Sequence, residues 1–564
     1  MSTPNYSGES IDRIKKLERI RSLGVNPFAN RFDTTHQIWA INSQYSAKLE
    51  EWKNSPFRSV EDVIATPTSD ISIAGRVVLH RSFGKICFAT IADGSDRIQI
   101  LFSRENCSIL VDGMLVNLLE KGGGTSTTSD GGLVREDSET PIPPTPLSQG
   151  GDETITAYKF AEKLIDLGDF IGVTGELFYT HKWELTLFVS EFTFLTKAIR
   201  PLPEKFHGLS DTEMLYRERN LDLVTNDETF ARFRLRSKVI REMRRFFESK
   251  GFDEVETAIL QAQAGGAMAR TFSTHHNDLD HDFVLRISLE LDLKRTIGGG
   301  FSRVFEIGKN FRNEGTDPSH LQEFTMCEWY AAYADLDTNK KWTEEMFHHI
   351  VATCLPSPVV QVMNKSGEMI DVDLGVTFAS RRFPELLLEY AGVDMFTDSM
   401  EQLQKIAKEV GVEKIWGVGR ANLLDDIYKK TARAKLIQPT FVFDYPEDLK
   451  PLARPNGDGT ACCYQLVING WEVVNSYGEL IDPLVQRQLF EVQSSAKAGW
   501  DEEAMEVDEV FLKAMEHGFP PMTGSGFGID RLVTLFTGQG NLRDVVLFPT
   551  MRPIPSQSEE KTEK

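Results

Sequence analysis

Apolar residues recur every three positions at Ile11, Ile14, Leu17 and Ile20, with charges between them. That spacing predicts an amphipathic helix over residues 10–22, either packed on the body of the protein or contacting RNA. From about residue 71 the period drops to two, in Ile71–His80, Cys87–Asp93, Arg97–Phe102, Phe170–Leu177 and Thr186–Ser190. Five short strands separated by glycine-containing turns predict a small β-barrel such as an OB-fold. The pattern is interrupted at about 119–157 by Gly/Ser/Thr- and Pro-rich sequence without apolar periodicity, expected to be a disordered surface insertion. Pro201 and Pro203 mark a linker. Residues 229–248 then predict a long helix that buries Phe233, Leu235, Val239, Ile240, Met243, Phe246 and Phe247 and is stopped by Gly251. Val255–Ile259 resemble a strand, and strands and helices alternate irregularly to Pro553. The expected organisation is a helical extension over 1–68, the barrel over 69–200, a linker over 201–228, an α+β domain over 229–553 and a frayed tail over 554–564.

At 564 residues and 41% hydrophobic, the chain is long and apolar enough for two or three cored domains. No run of about 18 apolar residues predicts a membrane span. Met1 to Asn26 lacks the apolar core of a signal peptide, and the six cysteines form no Cys-x-x-Cys pair. A reducing, cytoplasmic setting is expected. The net charge of −22 speaks against indiscriminate polyanion binding, yet basic residues cluster in Arg13–Arg21 and Arg232–Arg245. An acidic body with basic stripes is compatible with a specific RNA partner.

The most informative stretch is 304–335, which reads as two strands joined by a short polar loop. Strand alternation places Arg312 and Glu314 together, and Phe324, Glu328 and Tyr330 on one face of the return strand. An arginine, carboxylates and aromatics on one surface suit a ligand with anionic, planar and cationic parts. Near the end of the chain, Gly524-Ser-Gly-Phe-Gly-Ile-Asp-Arg531 precedes an apolar run. It reads as a glycine-rich turn that lets backbone approach a ligand and sets Arg531 at a helix start. Neither a Gly-x4-Gly-Lys loop nor Gly-x-Gly-x-x-Gly occurs, so ATP, if bound, must be gripped by side chains.

Phe311-Arg-x-Glu314 resembles motif 2 of the class II aminoacyl-tRNA synthetases, and Gly526-x-Gly-x-Asp-Arg531 resembles motif 3. The helix–strand pair 229–259 is similar to motif 1, the usual dimer element. With an OB-like domain ahead of it, the chain resembles subclass IIb, which holds the lysine, aspartate and asparagine enzymes. Arg217-x-Arg-Asn-Leu-Asp-Leu, Gly265-Gly-Ala267, His276-Asn-Asp-Leu-Asp280, Leu436-Ile-Gln-Pro-Thr440 and Val546-Leu-Phe-Pro-Thr-Met-Arg all look like the lysine enzymes. The resemblance implies an α+β fold, with an OB-fold barrel ahead of a catalytic antiparallel sheet flanked by helices. It also implies a homodimer that uses ATP, L-lysine and tRNA(Lys), with Mg2+.

Residue by residue, the resemblance implies that Glu290 and Gly266 hold the α-amino group, and Arg312 and Asn475 the carboxylate. Glu328 completes the polar floor. Alternation over 473–479 puts Val473, Asn475, Tyr477 and Glu479 on one face. The Glu479 carboxylate opposite Tyr330 suits an ε-ammonium, with Tyr477 along the aliphatic stem. Leaving such a buried carboxylate unpaired costs roughly 3–5 kcal/mol, enough to reject an apolar amino acid. For ATP the resemblance implies Arg312, Glu314, His320, Phe324, Gly526, Gly528 and Arg531, with Arg312, Glu314 and Arg531 acting in catalysis. Glu472 and Gln465 fall at the metal positions. In the barrel, Arg81, Phe88 and Gln99 stand where the subclass reads the anticodon.

Four departures stand out. Gln465 occupies a position usually held by a glutamate, Leu321 one usually held by an asparagine, and Asp292 one where an aromatic is common; Cys462-Cys463-Tyr464 lacks the usual basic residue. Two other functions remain as alternatives: an aspartate or asparagine ligase, which the acidic Glu479 opposes, and a catalytically impaired paralogue that binds RNA.

Overall fold

The computed structural model describes residues 6, 8–53, 71–105, 107–111, 114–116, 155–180, 182–203, 212–267, 269–315, 317–364, 367–498 and 507–554. The chain divides into two compact units, 1–208 and 209–564.

The first unit opens with helices α1 (Gly8–Ser22) and α2 (Ile38–Lys53). Seven strands follow: β1 (Ile71–Phe83), β2 (Ile86–Ala92), β3 (Arg97–Ser103), β4 (Ser108–Val111), β5 (Met114–Val116), β6 (Phe170–Tyr179) and β7 (Leu185–Thr196), with α3 (Ala157–Leu164) before β6. Their order is β3-β2-β1-β6-β7-β4-β5, and β3 also pairs in parallel with β7 from Gln99↔Thr186 to Phe102↔Val189. That last pairing closes five strands into the OB-like barrel the alternation predicts, and β4–β5 add a short ribbon. Inward positions Ile73, Val77, Ile91 and Phe102 are buried, and Phe160 of α3 packs on Phe192 and Phe194. Of the two readings of α1, packing is what the structure displays. Leu17 and Ile20 are buried, Arg13 donates to the Leu167 carbonyl at 2.8 Å, and Lys16 pairs with Asp166 at 2.5 Å. The expected insertion at 119–157 lies outside the described residues as far as 154, and Thr156 and Ala157 are the cap and first residue of α3.

In the second unit, eight strands form one sheet: β8 (Asp253–Glu254), β12 (Arg303–Phe311), β13 (Glu323–Ala332), β16 (Ala379–Arg382), β17 (Thr440–Phe443), β18 (Cys463–Ile468), β19 (Trp471–Gly478) and β20 (Met522–Gly528). Their order is β16-β17-β18-β19-β20-β13-β12-β8, antiparallel except at the two edge pairs. Two smaller sheets accompany it, β9 (Leu260–Gln261) with β10 (Ser273–His276) and β11 (His281–Leu285), and β14 (Val359–Met363) with β15 (Met369–Asp373). The helices are α4 (Thr212–Arg217), α5 (Arg219–Thr225), α6 (Asp227–Ser249), α7 (Glu290–Gly298), α8 (Leu336–Cys354), α9 (Phe383–Ala391), α10 (Met400–Glu409), α11 (Arg420–Lys430), α12 (Pro483–Ala498), α13 (Glu509–Glu516) and α14 (Ile529–Phe536).

One face of the large sheet packs on α6, α8 and α14 through Met243, Phe247, Phe305, Trp329, Phe347, Phe527 and Leu532. The polar Asn339 is tolerated in that core because every part of its amide is used. It accepts from Trp329 Nε1 at 2.9 Å and donates to Ser476 and Thr523, both at 3.0 Å.

Four local expectations change. The stretch expected as linker, 201–228, contains α4 and α5, and Arg219 donates to the carbonyls of Leu547 and Arg543. Helix α6 begins at Asp227, because the Asn226 side chain caps it by accepting from Glu228 N and Thr229 N. The strand expected at Val255–Ile259 is replaced by Asp253–Glu254. Beyond it only Val255 still bonds Phe305, before Thr257 turns aside to bond Glu306. The hairpin loop is long rather than short, 312–322, and Gly524–Gly528 is a central strand rather than a turn.

Candidate active site

The face of the large sheet opposite the core carries a cleft of about 300 Å³. Its floor follows from register. Glu328, Gly526 and Asn475 lie in one row across β13, β20 and β19, and Tyr330, Gly524 and Tyr477 in the next. Large side chains thus flank a strand of glycines. At Gly524 a Cβ would stand 2.2 Å from the Tyr330 ring and 2.7 Å from Glu479 Oε1. At Gly526 it would press on Glu328 Cγ at 3.2 Å. Glycine there makes the trough, and this is why the segment lacks the alternation of an ordinary strand.

The closed end of the cleft is carboxylate-rich. Glu290, Glu328 and Glu479 are all buried. Glu328 accepts from Ser288 Oγ at 3.1 Å, Leu289 N at 3.2 Å and Tyr330 Oη at 3.2 Å. Burial, with repulsion from Glu290, nevertheless pushes its carboxyl up to about 7. Burial pushes Glu479 up as well, against the pull of Lys294. Lys294, one turn along α7 from Glu290, pairs with Glu290 at 2.7 Å and with Glu479. Asn475 Nδ2 donates to Tyr477 Oη at 2.7 Å, which fixes the amide, and its Oδ1 faces the Lys450 ammonium at 3.4 Å.

The other end is cationic and more open. Arg312 lies one residue past β12, donates to the Ile287 carbonyl at 3.3 Å and sits 5.1 Å over the Phe324 ring. Burial lowers its pKa from the ordinary guanidinium value, opposed by Glu314 and Glu328. Arg531, in the first turn of α14, donates to the Glu472 carbonyl at 2.9 Å. Its neighbour Asp530 is anchored by Arg236 at 2.6 Å and accepts from Thr325 N, which ties α14 to β13. In the loop, His320 Nδ1 lies 2.7 Å from Asp317. Burial raises Asp317, but hydrogen bonds from Ser319 and His320 together outweigh it and hold the carboxyl down to about 2.

Of the residues singled out from the sequence, Gly266, Glu290, Arg312, Glu314, His320, Phe324, Glu328, Tyr330, Glu472, Asn475, Tyr477, Glu479, Gly526, Gly528 and Arg531 all line this one cleft. Gln465 does not. It is buried on the neighbouring strand as the cross-strand partner of Asn475, outside the cleft lining. Leu321 lines the cleft, whereas Asp292 bonds Gln261 and Arg295 away from it. Two buried cations escape a reading by motif, Lys294 and Lys450. Lys294 was accessible from its four-residue spacing to Glu290 on a helix.

Among the described residues no group of three His, Cys, Asp or Glu side chains is placed to hold a metal ion. Of the two expected metal positions, Glu472 lines the cleft at its cationic end and Gln465 does not. A single carboxylate suits a magnesium ion that arrives with phosphate oxygens and completes its shell with them.

On the barrel, Phe88 is half-buried, outside the core cluster, and makes an edge contact with Phe83 at 6.2 Å. Arg81 is its direct cross-strand partner. Gln99 shares that face two rungs away, with Nε2 on Glu184 at 2.9 Å and Oε1 on Thr186 at 2.9 Å.

Residues 211–552 match the family model for class II tRNA synthetases (D, K and N). A lysine–tRNA ligase of Lactococcus lactis subsp. cremoris strain MG1363 is 39% identical over 546 residues, 96% of this chain and 97% of that protein. A lysine–tRNA ligase of Yersinia enterocolitica serotype O:8 is 40% identical over 548 residues, 96% of each.

Proposed function

The chain belongs to the class II tRNA synthetases of the D, K and N group, and from that premise we propose that it is an ATP-dependent lysine–tRNA ligase. The observation that carries the choice of amino acid is the closed end of the cleft, where Glu290, Glu328 and Glu479 converge beside Tyr330 and Tyr477. An anionic side chain such as aspartate would meet like charge there, and an asparagine amide brings no charge to the buried Glu479 oxygen that Lys294 does not hold.

In the reaction this supports, the ε-ammonium lies against Glu479 with Tyr477 along the stem, and the α-ammonium against Glu290 and Glu328. Arg312 faces both the substrate carboxylate and the α-phosphate. A carboxylate oxygen attacks the α-phosphorus in line, the bond to the bridging oxygen breaks, and pyrophosphate leaves with that electron pair. The 3′-terminal hydroxyl of the tRNA then attacks the carbonyl carbon, loses its proton, and AMP leaves. No side-chain nucleophile is needed; positioning and charge neutralisation by Arg312 and Arg531 supply the catalysis. Glu472 would hold a magnesium ion, which when bound neutralises triphosphate charge. Phe88, Arg81 and Gln99 form the face on which an anticodon base would stack. Helix α6 with β8 is the element that would join two copies, and the setting consistent with this activity is the cytoplasm. Among the described residues, no helix is long and apolar enough to cross a membrane.

ATP–pyrophosphate exchange with each amino acid tests the assignment. Lysine should support exchange; equal exchange with asparagine, or none with any amino acid at ample magnesium, refutes it. Phe88→Ala should spare this exchange and raise the KM for tRNA, while loss of both activities would make Phe88 a structural residue.

A further inference from the structure

Lys294 has no place in the reaction just described, yet it is 1% exposed and stands at the centre of the carboxylate cluster. Its ammonium bridges Glu290 Oε1 at 2.7 Å and Glu479 Oε2. The second oxygen of Glu479, Oε1, is buried, accepts no hydrogen bond, and lies beside Gly524 in the floor of the cleft. Resting on the lysine-ligase reading, we propose that Lys294 is a positioning residue for amino-acid selection. As a built-in ammonium it holds one oxygen each of Glu290 and Glu479 and so presents their remaining oxygens to the substrate.

A charge count supports this. The groups that face one another here are Glu290 from α7, Glu328 and Tyr330 from β13, and Tyr477 and Glu479 from the end of β19. With all three carboxyls ionised, three carboxylates and one ammonium leave two negative charges, and free lysine brings two ammonium groups there while its carboxylate faces Arg312. Without Lys294, three buried acids would face two cations, and the excess would be relieved by protonating one of them. The resident cation therefore matches the pocket to a doubly cationic substrate. Its helix spacing also makes it rigid: Lys294 and Glu290 are one turn apart, so the pair forms within α7 itself. Tyr330 fills the space beside Gly524, which leaves Glu479 little freedom to re-aim.

The test compares the full-length wild type with Lys294→Met, which keeps length and removes charge, in lysine-dependent ATP–pyrophosphate exchange across pH. The KM for lysine should rise at least about tenfold near neutral pH. The acid limb of kcat/KM for lysine should move to higher pH, because Glu479 would lose the cation that opposes its protonation, while the KM for ATP stays unchanged. A folded variant with an unchanged or lower lysine KM and a superimposable pH profile overturns the proposal. Where the variant does not fold, a crystal structure of the wild type with lysine decides: Lys294 Nζ still bridging Glu290 and Glu479 supports it, and a displaced Lys294 overturns it. Failure of the wild type to exchange with lysine instead refutes the ligase reading beneath.

Discussion

At the closed end of the cleft, three buried carboxylates share one resident cation and a set of hydroxyl and amide donors before any ligand arrives. At the open end, Arg312 and Arg531 donate to main-chain carbonyls, and among the described residues neither enters an ion pair with a carboxylate. Both ends concentrate charge, but they use it differently. The closed end is pre-paired, so a wrong amino acid gains little and leaves buried groups unsatisfied. The open end keeps its cations available, so it attracts a triphosphate without discriminating finely among anions. Selectivity lies where charges are already partly paired, and transition-state stabilisation where they are not.

Removing a cation from the open end should have the largest effect. Arg312→Ala should lower ATP–pyrophosphate exchange by about 10²–10³-fold, the scale for deleting one preorganised group that faces developing charge. Its far-UV circular dichroism should match the wild type; an unfolded variant would make Arg312 a structural residue. At the closed end, Glu479→Gln should raise the lysine KM at least about tenfold, roughly 1.4 kcal/mol, and leave the ATP KM in place. A lysine KM within about twofold of wild type would mean that the ammonium binds elsewhere.

The contrast also has a pH signature. Burial and Glu290 raise Glu328 to about 7, so its charge is lost as pH falls through that value rather than through the ordinary carboxylate range. The kcat/KM for lysine should therefore fall on the acid side of about pH 7. A limb confined to about pH 4–5 would show that the raised carboxyl is not used in binding. Stability follows the same sign. A carboxyl that binds its proton more tightly folded than unfolded contributes stability at low pH, and the ligand-free protein loses it as pH rises toward 7. The smallest effect belongs to Gln465→Glu, which adds a carboxylate beside Asn475 on the same face of the sheet. The magnesium needed for half-maximal exchange should fall while the lysine KM stays constant, and superimposable titrations would remove position 465 from the metal site.

Alternation made the walls of the cleft legible: Phe324, Glu328 and Tyr330 on β13, and Val473, Asn475, Tyr477 and Glu479 on β19, need only the period of two to share a face. The floor was not legible that way, because Gly524, Gly526 and Gly528 carry no side chains to alternate and therefore look like a turn. The hairpin itself was legible, with β12 and β13 antiparallel and Arg312 N bonding the Gln322 carbonyl one residue past the strand, but the length of its loop was not. Lys294 was missed, and the position of Gln465 off the cleft lining was not foreseen, for a common reason. Sequence pattern assigns a residue to a helix or strand, whereas burial against Glu479 or beside Asn475 depends on how segments meet. In the barrel, pattern predicts five strands, and the parallel β3–β7 pairing that closes them is a long-range contact no local period encodes.

The glycines of β20 bear on how this protein could be altered. Mutational surveys commonly shorten side chains to alanine and read the loss. At Gly524 the same substitution adds a methyl group within 2.2 Å of Tyr330, where neither the ring nor the sheet backbone has room to retreat. A substitution regarded elsewhere as the gentlest becomes the harshest there, and a scan limited to truncations passes over the position altogether. The shape of the amino-acid pocket is thus inherited through atoms the chain lacks, and new substrate preferences would be sought by adding bulk to that strand.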